Sequence, residues 1–453
     1  MSKLRFIDLF AGLGGFHKAL HGLGHECVFA SELDPVLREI YKANWKIEPQ
    51  GDIRKIVDNN IDDIPDHDIL CAGFPCQPFS KAGKQKGRKD KVRGTLFDEI
   101  VKILRHRTPR FFILENVPFI AKHDNEVTWN LMKGELESAG YTVEHEIYSP
   151  QDFGIPQHRK RIFIVGSLVG LDHFSFNDIY QQKKKLVDIY QFIDSNPKDA
   201  KKLPKANLDC IKLWQEFIDC IPKETKLPGF PIWGMEFGAT YPFEETFPHE
   251  LSKKKLAEYK GNFGCSLKGM SKAEAFENLP SYARVEEEFP DWKKSYIRQS
   301  RQFYQENKKY IQEVVKEIAK YESQSWQKLE WNVGDNKRKI TDYILQFRAS
   351  GIRIKKVNFF PSLVCTNTQI PIIGWEKRYI TKHEGLKLQS LTGLKLPAND
   401  NAAFKALGNA VNSKIVRLIA EKLLNENNKP KKLNGAVTQH SQQLSILQQH
   451  ETA

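Results

Sequence analysis

The chain has 453 residues, enough to bury a large core and to form two domains. Its hydrophobic fraction of 40% is that of an ordinary globular protein, and no stretch approaches the run of about 18 apolar residues needed to cross a bilayer. The formal charge of +13 suits a polyanionic partner such as nucleic acid, though solubility alone accounts for it equally well.

The apolar segment in the N-terminal "MSKLRFIDLF" is too short for a secretory signal and has no small-residue cleavage site. The expected place of the protein is therefore the cytoplasm, with DNA. Seven cysteines occur, an odd number at wide spacings with no C-x-x-C pair. That pattern argues against a disulfide framework and against a structural zinc site, and no metal is expected. Most of these cysteines should be small buried hydrophobes.

The first 170 residues alternate short apolar runs with helix-like stretches. Strands are expected at 4–10, 27–32, 68–73, 110–117, 142–148 and 161–167. Helices are expected at 16–23, 35–44 and 96–105. Buried β-rich runs alternating with helices indicate a mostly parallel sheet in an α/β fold. From about 171 to 355 that rhythm stops, and few buried strand runs are visible. One helix stands out near 297–323, where Phe303, Asn307, Tyr310, Val314, Ile318 and Tyr321 follow a helical period. Such a stripe reads as core. A second, substrate-facing domain is the natural reading of this region. Near 356 the chain again has the character of a packed domain, ending in a helix at 413–424. Residues 426–453 form a polar, Gln-rich tail expected to be disordered.

"DLFAGLGGFHKAL" reads as a strand, a glycine turn and a helix. Gly12 and Gly14, with Gly15, let the backbone turn tightly and bring a ligand near the helix N-terminus. His17 stands where the third glycine of a nicotinamide fingerprint would be, so that fingerprint is not met. The next strand ends in Ser31-Glu32, and Glu32 can accept hydrogen bonds from both ribose hydroxyls. Asp52, at the expected end of a third strand, could accept from an adenine amino group. Singly, each acid is as well explained by a solvated loop or a helix cap. In order, at successive strand ends, they favour an adenosine-bearing cofactor.

The expected fourth strand runs into "GFPCQPFS", where Pro75 and Pro78 fix the backbone on either side of Cys76. That rigidity suits a sulfur held in one position against a substrate atom. The expected fifth strand delivers "ENV", with Glu115 at the same sheet edge. A thiol and a carboxylate facing one pocket suggest covalent addition to an electron-poor ring, the acid supplying or sharing a proton. For either residue alone the bland reading, a buried cysteine or an exposed glutamate, is the better one.

The motifs "FAGLGG", "GFPCQPFS", "ENV", "PQHRKR" and "LGNAV", in that order, resemble the DNA (cytosine-5) methyltransferases over residues 4–167 and 358–424. The resemblance implies a Rossmann-like sheet flanked by helices, with a mixed target-recognition domain. The domains would be a catalytic part at 1–170, a recognition part at 171–355 and a return segment at 356–425. It implies S-adenosyl-L-methionine as cofactor, with Phe10, Gly12 and Gly14 lining its loop and Glu32 on the ribose. Asp52 and Ile53 would flank the adenine, and Asn409 and Val411 would lie near the cofactor. Cys76 would be the nucleophile, adding to C6 of a cytosine flipped out of double-stranded DNA. Glu115 would hydrogen-bond N3 and the exocyclic amine. Arg159 would hold the base or the thiol's surroundings, with Arg161 the more structural of the pair, anchoring a carboxylate or backbone. The segment 377–391 matches the family's arginine-rich motif only loosely, Lys382-His383-Glu384 replacing the commoner Arg-Glu pairing.

Between Lys81 and Arg93 lie seven basic residues against one acid, Asp90, with glycines that keep the stretch mobile. A solvated loop is the usual reading of a charge run. Directly after the nucleophile, a phosphate-gripping lid using Ser80, Lys81, Lys84 and Arg88 is the better one. Arg348 and Arg353, with Lys355 and Lys356, are candidate DNA contacts, solvation being the equal alternative. A monomer is expected, as the modification enzyme of a bacterial restriction–modification system acting apart from its endonuclease. The rivals are a tRNA cytosine methyltransferase on the same scaffold and a catalytically silent DNA-binding homologue. The first is disfavoured by the long recognition region and the second by intact Cys76 and Glu115.

Overall fold

The computed structural model describes residues 2–75, 96–122, 126–180, 188–363 and 369–425. The first lobe carries strands β1 (Arg5–Leu9), β2 (Glu26–Ser31), β3 (Ile69–Gly73), β4 (Phe111–Asn116) and β5 (Thr142–Tyr148). The short β6 (Gln157–His158) and then β7 (Arg161–Ser167) follow. All but β6 form one sheet in the order β2-β1-β3-β4-β7-β5. The first four are mutually parallel, and β7 runs antiparallel to both neighbours.

Helices α1 (Gly15–His21), α2 (Pro35–Trp45), α3 (Ile53–Asn60), α4 (Leu96–Arg107), α5 (Phe119–Lys122) and α6 (Val127–Ser138) connect these strands. They explain why β3 and β4 are apolar without alternation: both faces of the central strands are covered. On one face Phe6, Cys71, Ile113 and Val165 pack in one core, and on the other Ile7, Leu70, Phe112 and Ile164 pack in a second.

Asp52 is not at the end of a third sheet strand. Its segment makes only an isolated bridge, Ser31 to Gln50, and the Asp52 carboxylate caps α3 by accepting from the Arg54 amide at 3.1 Å. The cysteine motif therefore leaves the third strand and "ENV" the fourth, one earlier than expected.

Beyond α7 (Phe176–Tyr180) and α8 (Lys205–Cys220) the chain builds a second lobe. Its sheet consists of β8 (Ile232–Trp233), β9 (Lys328–Asn332), β10 (Ile344–Arg348), β11 (Gly351–Lys355), β13 (Ile372–Ile373) and β14 (Arg378–Tyr379). The order is β14-β13-β10-β11-β9-β8. The expectation of few strands here is thus overturned. These strands are short, and one face alternates charge against the apolar face, as in Lys328-Leu329-Glu330-Trp331, so no continuous apolar run marks them.

The boundary at 355 also fails, because β13 and β14 belong to this sheet. Between them and β11 the chain returns to the first lobe, where β12 (Phe360–Pro361) pairs with β6. After two short helices, α9 (Lys253–Leu256) and α10 (Lys272–Glu277), the long helix α11 spans Asp291–Ile318. Its buried face is Ile297, Ser300, Phe303, Asn307, Ile311, Val315 and Ile318. Tyr310, counted into the stripe from sequence, is exposed, and Tyr321 lies past the helix end.

Helices α12 (Lys382–Leu388), α13 (Asp400–Asn409) and α14 (Ser413–Leu423) complete the first lobe. Between the two sheets lies a further apolar cluster that includes Leu13, Ile155, Ile344, Phe360, Ile373 and Leu407. Beside it, buried Arg378 makes a bidentate pair with Glu384, at 2.9 and 2.8 Å. The Arg-Glu pairing that the sequence of 382–384 lacks is therefore made from β14 to α12.

Two glycines test how tightly this packing is set. A side chain at Gly166 on β7 would overlap the Phe112 ring, whereas one at exposed Gly134 in α6 meets nothing within 4 Å. Gly166→Ala should lower unfolding free energy by about 1–3 kcal/mol through overpacking. Gly134→Ala should raise it by about 0.5–1 kcal/mol through helix propensity. Urea unfolding midpoints of the two variants check both signs.

Candidate active site

The carboxyl ends of β1 to β4 open on one cleft of about 900 Å³. β2 and β3 flank β1 on opposite sides, so the winding reverses there, which is where open α/β sheets take ligands.

The glycine loop begins with Phe10 at φ 56°, followed by Gly12 at 53° and Gly14 at 80°. Gly14 has a second reason to lack a side chain, since a Cβ would strike the Trp45 indole. At Gly15 a Cβ would lie 2.5 Å from Val411 Cγ1 and 2.7 Å from its carbonyl oxygen. Gly12 faces open space in the cleft instead, where its backbone is free to approach a ligand.

Glu32, just past β2, accepts from the Gly12 amide at 2.8 Å and from the Asp34 amide at 2.9 Å. Its carboxylate is thereby fixed at the cleft wall, each oxygen keeping a lone pair. Asp52 pairs with Arg54 at 2.7 Å, and Arg54's hydrogen bonds hold its carboxyl below the usual range. Ile53 beside it is buried and lines the cleft. Leu33 and Val36 were not singled out from sequence, yet they are 67% and 47% exposed at the cleft rim. Large apolar side chains left open at a cleft mouth mark a ligand surface. The only sequence signal for them was their place just after Glu32. Two carboxylates, an accessible glycine backbone and apolar walls form a set into which an adenosine fits.

At the other end β3 leaves through Gly73, Phe74 and Pro75, all lining the cleft. Cys76 lies outside the described residues, as do Ser80, Lys81, Lys84 and Arg88 and the whole basic stretch. Glu115 stands opposite Gly73 in the β3–β4 register. It is buried, with Oε1 2.9 Å from Arg161 Nε but in no aligned hydrogen bond. Burial pushes its pKa up, outweighing the lowering by Arg161 and then Arg159. Asn116 was passed over in the sequence. Its amide donates to the Phe74 carbonyl at 3.0 Å and its oxygen accepts from the Val117 amide at 2.8 Å, tying the end of β4 to the turn that enters the cysteine motif.

Arg161 thus anchors a carboxylate, as expected, and that carboxylate is Glu115's. Arg159 also lines the cleft. Among the described residues its guanidinium donates to Ser362 Oγ at 3.3 Å, to the Leu363 carbonyl at 3.3 Å and to the Ala410 carbonyl at 3.1 Å. Asn409 and Val411 line the cleft on that side.

Arg348 and Arg353 lie away from the cleft on the second sheet. Arg353 pairs with buried Glu330, and Lys355 lies over the Phe359 ring at 4.6 Å. Gln346 faces Arg353 across the β10–β11 pair, so Arg348, Arg353 and Lys355 share one sheet face. The aromatic residues Trp233, Phe237 and Tyr241 are core.

Residues 4–425 match the C-5 cytosine-specific DNA methylase family. Among curated proteins, the chain is 47% identical over 165 residues to the Type II methyltransferase M.HhaI of Haemophilus parahaemolyticus, covering 36% of this chain and 49% of that one. It therefore spans about half the length of this relative. It is 30% identical over 450 residues to the Type II methyltransferase M.BanI of Aneurinibacillus aneurinilyticus, covering 94% and 96%. A solved prophage-encoded E. coli protein, described as a candidate DNA modification methyltransferase, shares the fold. Its TM-score is 0.50 at 18% identity, over 94% of this chain and 100% of that one. With the family match running through the glycine loop, the glutamate strand and the return segment alike, the chain belongs to the C-5 cytosine-specific DNA methylase family.

Proposed function

We propose that the chain is a DNA (cytosine-5) methyltransferase that uses S-adenosyl-L-methionine, acting in the bacterial cytoplasm as the modification partner of a separate endonuclease. The observation that carries this reading is the cleft itself. Buried Glu115 and the turn into the cysteine motif stand at one end, and Glu32, Asp52 and the glycine loop stand at the other. S-Adenosyl-L-methionine, when bound, supplies an electrophilic methyl group on a positively charged sulfur. Glu32 would hold its ribose, Asp52 its adenine amine, and Phe10, Ile53, Asn409 and Val411 its remaining faces.

A cytosine inside a duplex cannot be reached at C6, so the base must be flipped into the cleft. The Cys76 thiolate then forms a bond to C6, and the ring electrons move toward C5. Glu115, whose carboxyl is pushed toward its neutral form by burial, hydrogen-bonds N3 and the exocyclic amine and offsets the charge that builds there. Carbon 5 takes the methyl group. A base removes the C5 proton, the C6–S bond breaks with its electrons returning to sulfur, and Cys76 is free again. Arg161 keeps Glu115 in place for this.

The polar face of the second sheet supports a DNA partner. Lys355, His158 and Lys160 lie close enough that the two lysines depress the His158 pKa, second to burial. Arg353 and then Arg348 likewise help depress Lys355. Such a crowded positive strip, running from β6 to β10, is suited to phosphates.

Transfer of labelled methyl from S-adenosyl-L-methionine should occur to DNA, with bisulfite sequencing placing it on cytosine. Label in tRNA but in no DNA would sink this reading. Cys76→Ala should abolish transfer, and the wild type should form a covalent complex with 5-fluorocytosine DNA. Lys355→Ala with Arg348→Ala should lower the slope of log affinity against log salt by roughly 1–2.

The Glu115 carboxyl gives a pH signature independent of turnover. Its folded pKa is raised above an unfolded value of about 4.3. The stability that the neutral form carries is complete below that value and is lost as the pH rises through the folded pKa. Glu115→Gln cannot ionise, so its unfolding free energy should fall less than the wild type's as the pH rises above about 4.3.

A further inference from the structure

Directly behind the glycine loop lies a buried polar group for which the chemistry above has no use. Asp8 and Tyr41 are fully buried and His17 is 3% exposed. His17 Nδ1 lies 2.7 Å from the Tyr41 hydroxyl, which lies 3.3 Å from Asp8 Oδ2. The His17 ring stacks on Trp45 at 4.1 Å and 19°. The Trp45 indole N–H in turn donates to the Leu13 carbonyl at 3.3 Å, and its ring fills the space beside Gly14. His17 is the residue standing in place of a third glycine, and it leads by contact to the loop itself.

Tyr41 has one proton to give and two candidate acceptors. Its sulfur neighbour, Cys27, is engaged elsewhere, directing its S–H to the Phe29 carbonyl at 3.3 Å. If Tyr41 donated to an ionised Asp8, a carboxylate would be buried with no cation among the described residues in contact with it, at a cost of several kcal/mol. The titratable groups around it are Glu32, Cys27 and Cys71, none of which supplies positive charge, and the uncharged His17 amide donates to it. The alternative leaves no charge: Asp8 donates as a neutral acid to the Tyr41 oxygen, and Tyr41 donates to His17 Nδ1. Burial acts in that direction at both ends, raising Asp8 well above the carboxylate range and pushing His17 down to about 3, with His21 adding a little.

We infer that Asp8, Tyr41 and His17 form one neutral hydrogen-bond chain running from β1 to α1, and that it positions Trp45 and the glycine loop for the cofactor. The inference rests on the reading of that loop as the S-adenosyl-L-methionine site. The three are positioning residues, since none lines the cleft.

The direction of the chain makes it testable. Asp8→Asn keeps a donor toward Tyr41, so binding of S-adenosyl-L-methionine and S-adenosyl-L-homocysteine by calorimetry should stay within about twofold of wild type. Tyr41→Phe breaks the chain and should weaken both by about tenfold, one buried hydrogen bond's worth. Amide exchange over residues 12–17 should quicken without ligand in Tyr41→Phe and not in Asp8→Asn. Should Tyr41→Phe not fold, His17→Phe keeps a ring over Trp45 without the acceptor and carries the same expectation. Equal losses in Asp8→Asn and Tyr41→Phe would mean that Asp8 is ionised and would overturn the direction. Unchanged binding and exchange in Tyr41→Phe would overturn the positioning role. A folded wild type that binds neither ligand, while exchange still quickens in Tyr41→Phe, would remove the cofactor reading and leave the chain as a brace for the loop alone.

Discussion

One guanidinium joins three distant stretches of this chain. Arg159 sits after β6 and reaches the backbone near 362 and near 410, partners 203 to 251 residues away in sequence. Buried at 3% exposure, it has every reason to keep those partners, because an unpaired guanidinium there would be severely penalised. The approach of Val411 to Gly15 depends on the same placement of the return segment. So does the floor of the cleft. The glycine-loop end of the cleft is therefore not made by the N-terminal stretch of the first lobe alone.

The site divides into two electrostatic regimes. At the glycine-loop end Glu32 is half-buried and accepts one backbone amide on each oxygen, and Arg54 holds the Asp52 carboxyl below the usual range. Where β3 and β4 end, Glu115 is buried, and two arginines only partly counter the pressure toward its neutral form. A carboxyl group is thus a fixed acceptor in one place and is pushed toward neutrality in the other. Distance from water and the geometry of the cationic neighbour decide which.

The first lobe was legible because its central strands are apolar on both faces and end in residues that packing does not need. All six long strands and helices α1, α2 and α4 follow from that pattern to within two residues or so. The second lobe was not legible in the same way. Its strands have two to five residues, and in the three longest, seven of fifteen positions carry charge or amide groups that read as solvated surface. Within the site, Glu115, Glu32 and the glycines stood out by type and order. Asn116 did not, because its amide donates to a backbone carbonyl brought close only by the fold. Asp52 was rightly noticed for its charge and wrongly placed on a strand, since a capping aspartate and a strand-end aspartate look alike in sequence.

The pairing of β13 with β10, and of β14 with β13, has a bearing on how such chains could be recombined. The second lobe is not an insert with one entry and one exit. The chain enters it before α8, returns to pair β12 with β6, goes out again for β13 and β14, and comes back through the Arg378–Glu384 pair. A graft that exchanged residues 171–355 between relatives would carry four strands of one parent and two of the other in a single sheet. A clean transplant would need both passages, cut near the Lys202–Arg378 bridge, where incoming and outgoing chain already lie side by side.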